Sequence, residues 1–172
     1  RKYGCEGDID FASPHLVVPF KKGLNILVGE NDSGKTAILD AIKLVIKTHA
    51  IEWIKLDDSD FYDDSDSLRI ELKFDDFSDI EASRFTEWLS WDGTSGIPFL
   101  RLIYSAQKVN GRLIQGDISA GPTDDGKPLN SVAREYLKCT YLKPLRDAAS
   151  ELTARKNSRI SQILQGHELF QT

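Results

Sequence analysis

The sequence predicts an α/β fold organised around a phosphate-binding loop, and three observations predict it. First, Gly29-Glu30-Asn31-Asp32-Ser33-Gly34-Lys35-Thr36 fits the pattern G-x-x-x-x-G-K-[ST]. Second, that loop stands between an apolar run, Leu24 to Val28, that reads as a buried strand, and a stretch with helical spacing. Third, alternating segments joined by turn residues follow downstream. They read as a mainly antiparallel sheet inserted after the loop's helix, at about residues 68–115.

In chain order, residues 1–20 read as two short strands, carrying Ile9 and Phe11 and then Leu16 to Phe20, punctuated by Pro14 and Pro19. The chain opens at Arg1 with no initiator Met, so a few residues of a first strand are expected to precede it. His15 sits in a turn and reads as a surface residue. After the loop, apolar residues at 38, 39, 42, 45 and 46 give a helix with one broad buried face. The acidic stretch Asp57 to Asp66 lacks the central Gly and the terminal Glu of a calcium-binding EF-hand loop. It reads as a solvated loop anchored by Phe61, with Trp53 upstream in the core.

Leu68 to Phe74 alternates apolar with polar residues, as a half-exposed strand should. An amphipathic helix from Asp79 to Ser90 follows, with Ile80, Phe85, Trp88 and Leu89 on its apolar face. Phe99 to Ala106 is a strand, Val109-Asn110-Gly111-Arg112 a turn, and Leu113-Ile114 the returning strand. Residues 116–128, rich in Gly and Pro, form a loop. Ser131 to Leu137 is a short helix and Cys139 to Leu142 a strand ended by Pro144. A helical segment fills about residues 145–172, interrupted by the basic bend Ala154 to Asn157.

Composition sets the broad class. The 172 residues suit one domain, and 40% apolar with 28% charged residues describes a soluble globular chain. No apolar run is long enough for a membrane helix, so no membrane partner is expected. Cys5 and Cys139 lie far apart with no C-x-x-C spacing and read as reduced thiols in a cytoplasmic protein. The net charge is −5, yet residues 134–159 hold seven Lys/Arg against three Asp/Glu. Contact with DNA would therefore use a limited patch or sequence outside this stretch.

The loop's chemistry follows from its residue types. Gly29 and Gly34 let the backbone curl so that successive N–H groups point at an anion, and the helix start adds its positive dipole end. Lys35 should reach the β- and γ-phosphates, and the Thr36 hydroxyl should ligate Mg²⁺. The candidate binding set is Gly29, Glu30, Asn31, Asp32, Ser33, Gly34, Lys35, Thr36 and Ala37, with Asn31 and Asp32 lining the mouth. The expected ligand is ATP with Mg²⁺. The water-polarising acid of a complete ATPase is not evident: Phe74-Asp75-Asp76 comes nearest, on a strand that alternates too much to be buried. Neither Asn-Lys-x-Asp nor a Leu-Ser-Gly-Gly-like segment occurs.

A phosphate loop, its helix, an antiparallel insertion and a short strand leading into helices together resemble the N-terminal lobe of an ABC-type ATPase head. More closely, the chain resembles the ATPase segment of the OLD ("overcoming lysogenization defect") family of ATP-dependent endonucleases. The residues carrying this are Gly23 to Thr36, Asp60-Phe61, Tyr141-Leu142-Lys143-Pro144-Leu145-Arg146-Asp147-Ala148, and Glu151 to Ser161. The resemblance implies that residues 1–172 are the first part of an ABC-type domain, with its second half and a Toprim nuclease on other sequence. It also implies ATP hydrolysis completed by those missing parts, a homodimer or higher oligomer formed through the heads, DNA as substrate, and a role in antiphage defence with a possible defence-system partner. Lys143 to Asp147 corresponds to the Q-loop position, where Arg146 or Asp147 would replace the usual Gln; an Arg–Asp pair capping the helix is the alternative. Two other functions stay open: the head of a non-nucleolytic DNA-repair ATPase, and a nucleotide-sensing dimerisation module.

Overall fold

The computed structural model describes residues 13–46, 56–63, 65–137 and 139–141. The expected first strand, Trp53, Arg146, Asp147 and the helical segment at 145–172 lie outside the described residues, as does Cys5.

The sheet follows from alternation. Strand β1 (Ser67–Phe74) sends Leu68, Ile70, Leu72 and Phe74 to one face and Arg69, Glu71 and Lys73 to the other. It pairs antiparallel along β3 (Pro98–Val109), with Ser67 opposite Gln107 and Phe74 opposite Leu100. Three short strands share the other edge of β3. They are β2 (Leu89–Trp91), β4 (Arg112–Gln115) and β5 (Ser119–Ala120), and β6 (Lys127–Pro128) extends β5. The hairpin turn between β3 and β4 is Asn110-Gly111, both with positive φ (52° and 72°), as its sequence predicts.

Helix α1 (Lys35–Val45) packs against β1 and β3. Val45 and Leu44 join Leu100, Leu102, Tyr104 and Ala106 in the core, where Phe61 and Leu56 are also fully enclosed. The acidic stretch serves the backbone. The Asp57 side chain accepts from Ser59 N, and the Asp60 carboxylate accepts from Asp57 N at 2.9 Å, which caps the 3₁₀ turn Asp58–Asp60. Among the described residues no acidic or His/Cys group is arranged to hold a metal ion.

Five expectations are corrected. Leu24 to Val28 is extended but pairs with no described strand, and Leu24, Ile26 and Val28 are 88%, 71% and 89% exposed. An apolar run is buried only where neighbouring strands cover it, and none of the described strands does. Residues 16–20 likewise form no strand, with Pro19 unable to donate to a ladder.

The helix expected over 79–90 stops early as α2 (Asp79–Ser83). Ser83 Oγ donates to the Ile80 carbonyl and Thr86 Oγ1 to that of Ser83, and tight turns replace the helix. Those turns bury Phe85 and Trp88, whose indole N–H donates to Pro128 O at 3.2 Å, and they leave Leu89 free to pair with Leu100. Residues 116–128, expected as loop, contain β5 and β6. Leu39, expected on the buried face of α1, is 43% exposed.

The last described helix, α3 (Ser131–Tyr136), lies where its sequence predicts, with the Asn130 side chain accepting from Ala133 N.

Candidate functional site

The loop is fed by a clasped turn. Lys21 N donates to Asn25 Oδ1 at 2.9 Å, and Asn25 Nδ2 donates to the carbonyls of Lys21 (2.7 Å) and Gly23 (3.1 Å). Gly23 takes the left-handed conformation, φ 94°, that this turn needs. Lys22 Nζ reaches Asp76 at 3.4 Å, tying the turn to the end of β1. Asp76 is thus a surface ion-pair partner with φ 59°, at the place where sequence offered it as the nearest candidate acid. Sequence reading missed Asn25 and Lys22. The signal for Asn25 was present, since Asn two residues past Gly is a turn former.

The loop itself curls through two left-handed residues, Asp32 (φ 60°) and Gly34 (φ 90°), with Ser33 N donating back to Glu30 O at 3.3 Å. Asp tolerates that backbone better than most side chains. Helix α1 starts directly after Gly34. The first N–H groups of a helix have no acceptor within it. Here no side chain caps them, and the first turn holds no acidic residue. The 3₁₀ turn, α2 and α3 are each capped by a side chain: Asp57, Ser78 and Asn130. The start of α1 therefore keeps both its donors and its positive dipole end for an anion.

Lys35 lies across this mouth. Its Nζ donates to Gly29 O (2.9 Å), Glu30 O (2.5 Å) and Ser33 Oγ (3.1 Å). A Cβ on Gly29 would stand 2.7 Å from Ser33 Oγ and 3.3 Å from its Cβ, so any larger residue there would displace the Ser33 hydroxyl. Gly34 is buried; Ser33, Lys35 and Ala37 are half-buried; Gly29, Glu30, Asn31, Asp32 and Thr36 are exposed. The nine residues of the expected set run from the loop into the first turn of α1, where Thr36 follows Lys35. Donor backbone, one ammonium and one hydroxyl suit a polyphosphate with a hard divalent cation.

At the other end of α1, Lys43 pairs with Asp40 (3.2 Å) and lies 3.9 Å over the Tyr141 ring. This puts the first residue of the Tyr141–Ala148 stretch against the helix that the loop begins. Cys139 is a free thiol, and burial pushes it above its ordinary range.

On the polar face of the sheet, Arg101 bonds Glu71 (2.9 Å) and Asp124 (2.6 Å), and Arg69 bonds Glu71 (2.7 Å). Burial raises the Glu71 carboxyl, but hydrogen bonds from Arg101 and Arg69 outweigh it and hold it below its ordinary value. The network pins the 121–126 loop to the sheet and leaves both guanidiniums compensated.

Residues 14–169 match the family model of an AAA ATPase domain, and the chain belongs to that family. Membership implies nucleotide binding. Over 62 residues the chain is 37% identical to a DNA double-strand break repair Rad50 ATPase of Pyrococcus abyssi (strain GE5 / Orsay). That match covers 34% of this chain and 7% of the relative, so the chain spans a small part of its length. No solved structure matches the chain. Among the described residues, no helix is long and apolar enough to cross a membrane.

Proposed function

Taking a member of the AAA ATPase domain family as the premise, we propose that Gly29 to Ala37 bind ATP and Mg²⁺ in the N-terminal lobe of an ABC-type head. The observation that carries this reading is the uncapped start of α1, with Lys35 at its mouth. Backbone N–H groups of the loop and first turn hold the phosphate oxygens. The Lys35 ammonium donates to the β- and γ-phosphates, and Asn31 and Asp32 line the entrance. The Thr36 hydroxyl would hold Mg²⁺, which would supply charge neutralisation to the phosphates. Hydrolysis needs a water-polarising acid, which the second half of the head supplies from other sequence. By the resemblance of Lys143 to Asp147 to a Q-loop, Arg146 or Asp147 would sense the γ-phosphate.

In the intact protein, two heads close over ATP as a homodimer or higher oligomer, and closure gates a DNA endonuclease of the OLD type acting in antiphage defence. The support for this finer reading is the sequence from Tyr141 to Ala148. The similarity to a Rad50 ATPase favours a second reading, a repair-type head with no nuclease of its own.

Both are tested by following ATP turnover and metal-dependent DNA cleavage in the intact protein, with Lys35→Ala beside it. Cleavage that responds to ATP and loses that response in Lys35→Ala supports the endonuclease. DNA-stimulated turnover without cleavage selects the repair head. Failure of the folded protein to bind ATP removes both.

A further inference from the structure

We infer that Ser33 limits nucleotide affinity by competing with phosphate for the Lys35 ammonium; the inference rests on the ATP-binding reading above. An ammonium has three protons to donate. All three have acceptors inside the loop: the carbonyls of Gly29 and Glu30, and Ser33 Oγ at 3.1 Å. To donate to a phosphate, Lys35 must exchange at least one of these bonds.

Two of the acceptors are backbone carbonyls, which every residue type supplies. Ser33 Oγ is the acceptor that the sequence can alter. That oxygen also lies close to the start of the loop, 2.7 Å from where a Cβ on Gly29 would stand. The hydroxyl thus fills the space between the first residue of the loop and the lysine. The Ser33 backbone is fixed in the turn, where its N–H donates to Glu30 O at 3.3 Å.

Ser33 is a positioning residue. Its hydroxyl holds the lysine within the loop, and its removal hands one ammonium proton to solvent, so a phosphate then displaces water instead of the hydroxyl. Ser33→Ala should therefore tighten binding of groups that use Lys35 and leave others unchanged.

The test measures affinities of ATP, inorganic triphosphate and adenosine for the intact protein, Ser33→Ala, Lys35→Ala and the double variant. The expected result is ATP and triphosphate binding about fivefold tighter in Ser33→Ala, the factor that one ordinary hydrogen bond carries. Adenosine binding should not change, and the gain should vanish when Lys35 is also Ala. Ser33→Cys, which keeps a weaker acceptor, should fall between the two. Unchanged or weaker triphosphate binding in Ser33→Ala overturns the inference and leaves ATP binding intact. So does an equal shift for adenosine, which would mark a general change of loop shape. A folded wild-type protein that binds neither ATP nor triphosphate overturns the inference together with the reading beneath it.

Discussion

The antiparallel sheet and the phosphate loop meet their polar and apolar groups in opposite ways. In the sheet unit, α2 and α3 begin under side-chain caps, the core-facing residues of β3 are buried, and Arg69, Glu71, Arg101 and Asp124 pair with one another. In the loop segment, the start of α1 has no cap, and Leu24, Ile26 and Val28 face outward. The sheet unit satisfies itself. The loop segment keeps helix donors for a ligand and apolar side chains uncovered by any described strand. Stability and binding should accordingly respond to different residues.

Loss of packing in the sheet should have the largest effect. Leu102 is fully buried, and Leu102→Ala should cost about 2–5 kcal/mol, read as a lower urea midpoint at unchanged slope. A cost below about 1 kcal/mol would break the contrast at its stable end.

Lys35→Ala should do the converse. It should weaken ATP binding by about tenfold to a hundredfold, as expected for charged hydrogen bonds, while the melting temperature stays put. A large fall in melting temperature would show that the loop supports the fold after all.

Next in size are the caps. Asn130→Ala should destabilise by about 1 kcal/mol in denaturant titration, since it leaves Ala133 N without its acceptor. The matching change at the uncapped helix is Ala37→Glu, which places an anion in its first turn. It should stabilise the fold by about 0.3–1 kcal/mol and weaken ATP binding at once, by calorimetry. Gain in both would contradict the idea that the helix start is kept for phosphate.

The smallest effect expected is electrostatic and depends on pH. The Glu71 carboxyl is held below 4.5, so its pairing adds stability above that value and loses it as pH falls through the lowered folded-state value. Glu71→Gln should therefore lower the urea midpoint near neutral pH, and the gap to wild type should close as pH falls through the lowered folded-state value. A gap that persists in acid would assign the effect to packing.

Much of this was legible because it is local. The loop, α1, the alternation of β1, the Asn110-Gly111 turn and the Asn130-capped α3 each announce themselves within a few residues. Errors arose where burial depends on distant partners. Phe85 and Trp88 have the spacing of a helix face, yet Pro128 receives the Trp88 N–H and Leu100 pairs with Leu89, so turns and a strand win. Leu24 to Val28 reads as a buried strand because the run is apolar, but hydropathy cannot say whether a neighbouring strand is there to cover it.

Neighbouring residues alone specify that a phosphate loop precedes a helix and that an antiparallel sheet follows, since turn chemistry and side-chain period are local. Folding in three dimensions set which acceptors hold Lys35 and, among the described residues, which helix start lacks a cap and that β3 carries β1 on one edge and three short strands on the other. Those outcomes rest on contacts between chain segments brought together by folding, and no local pattern encodes them.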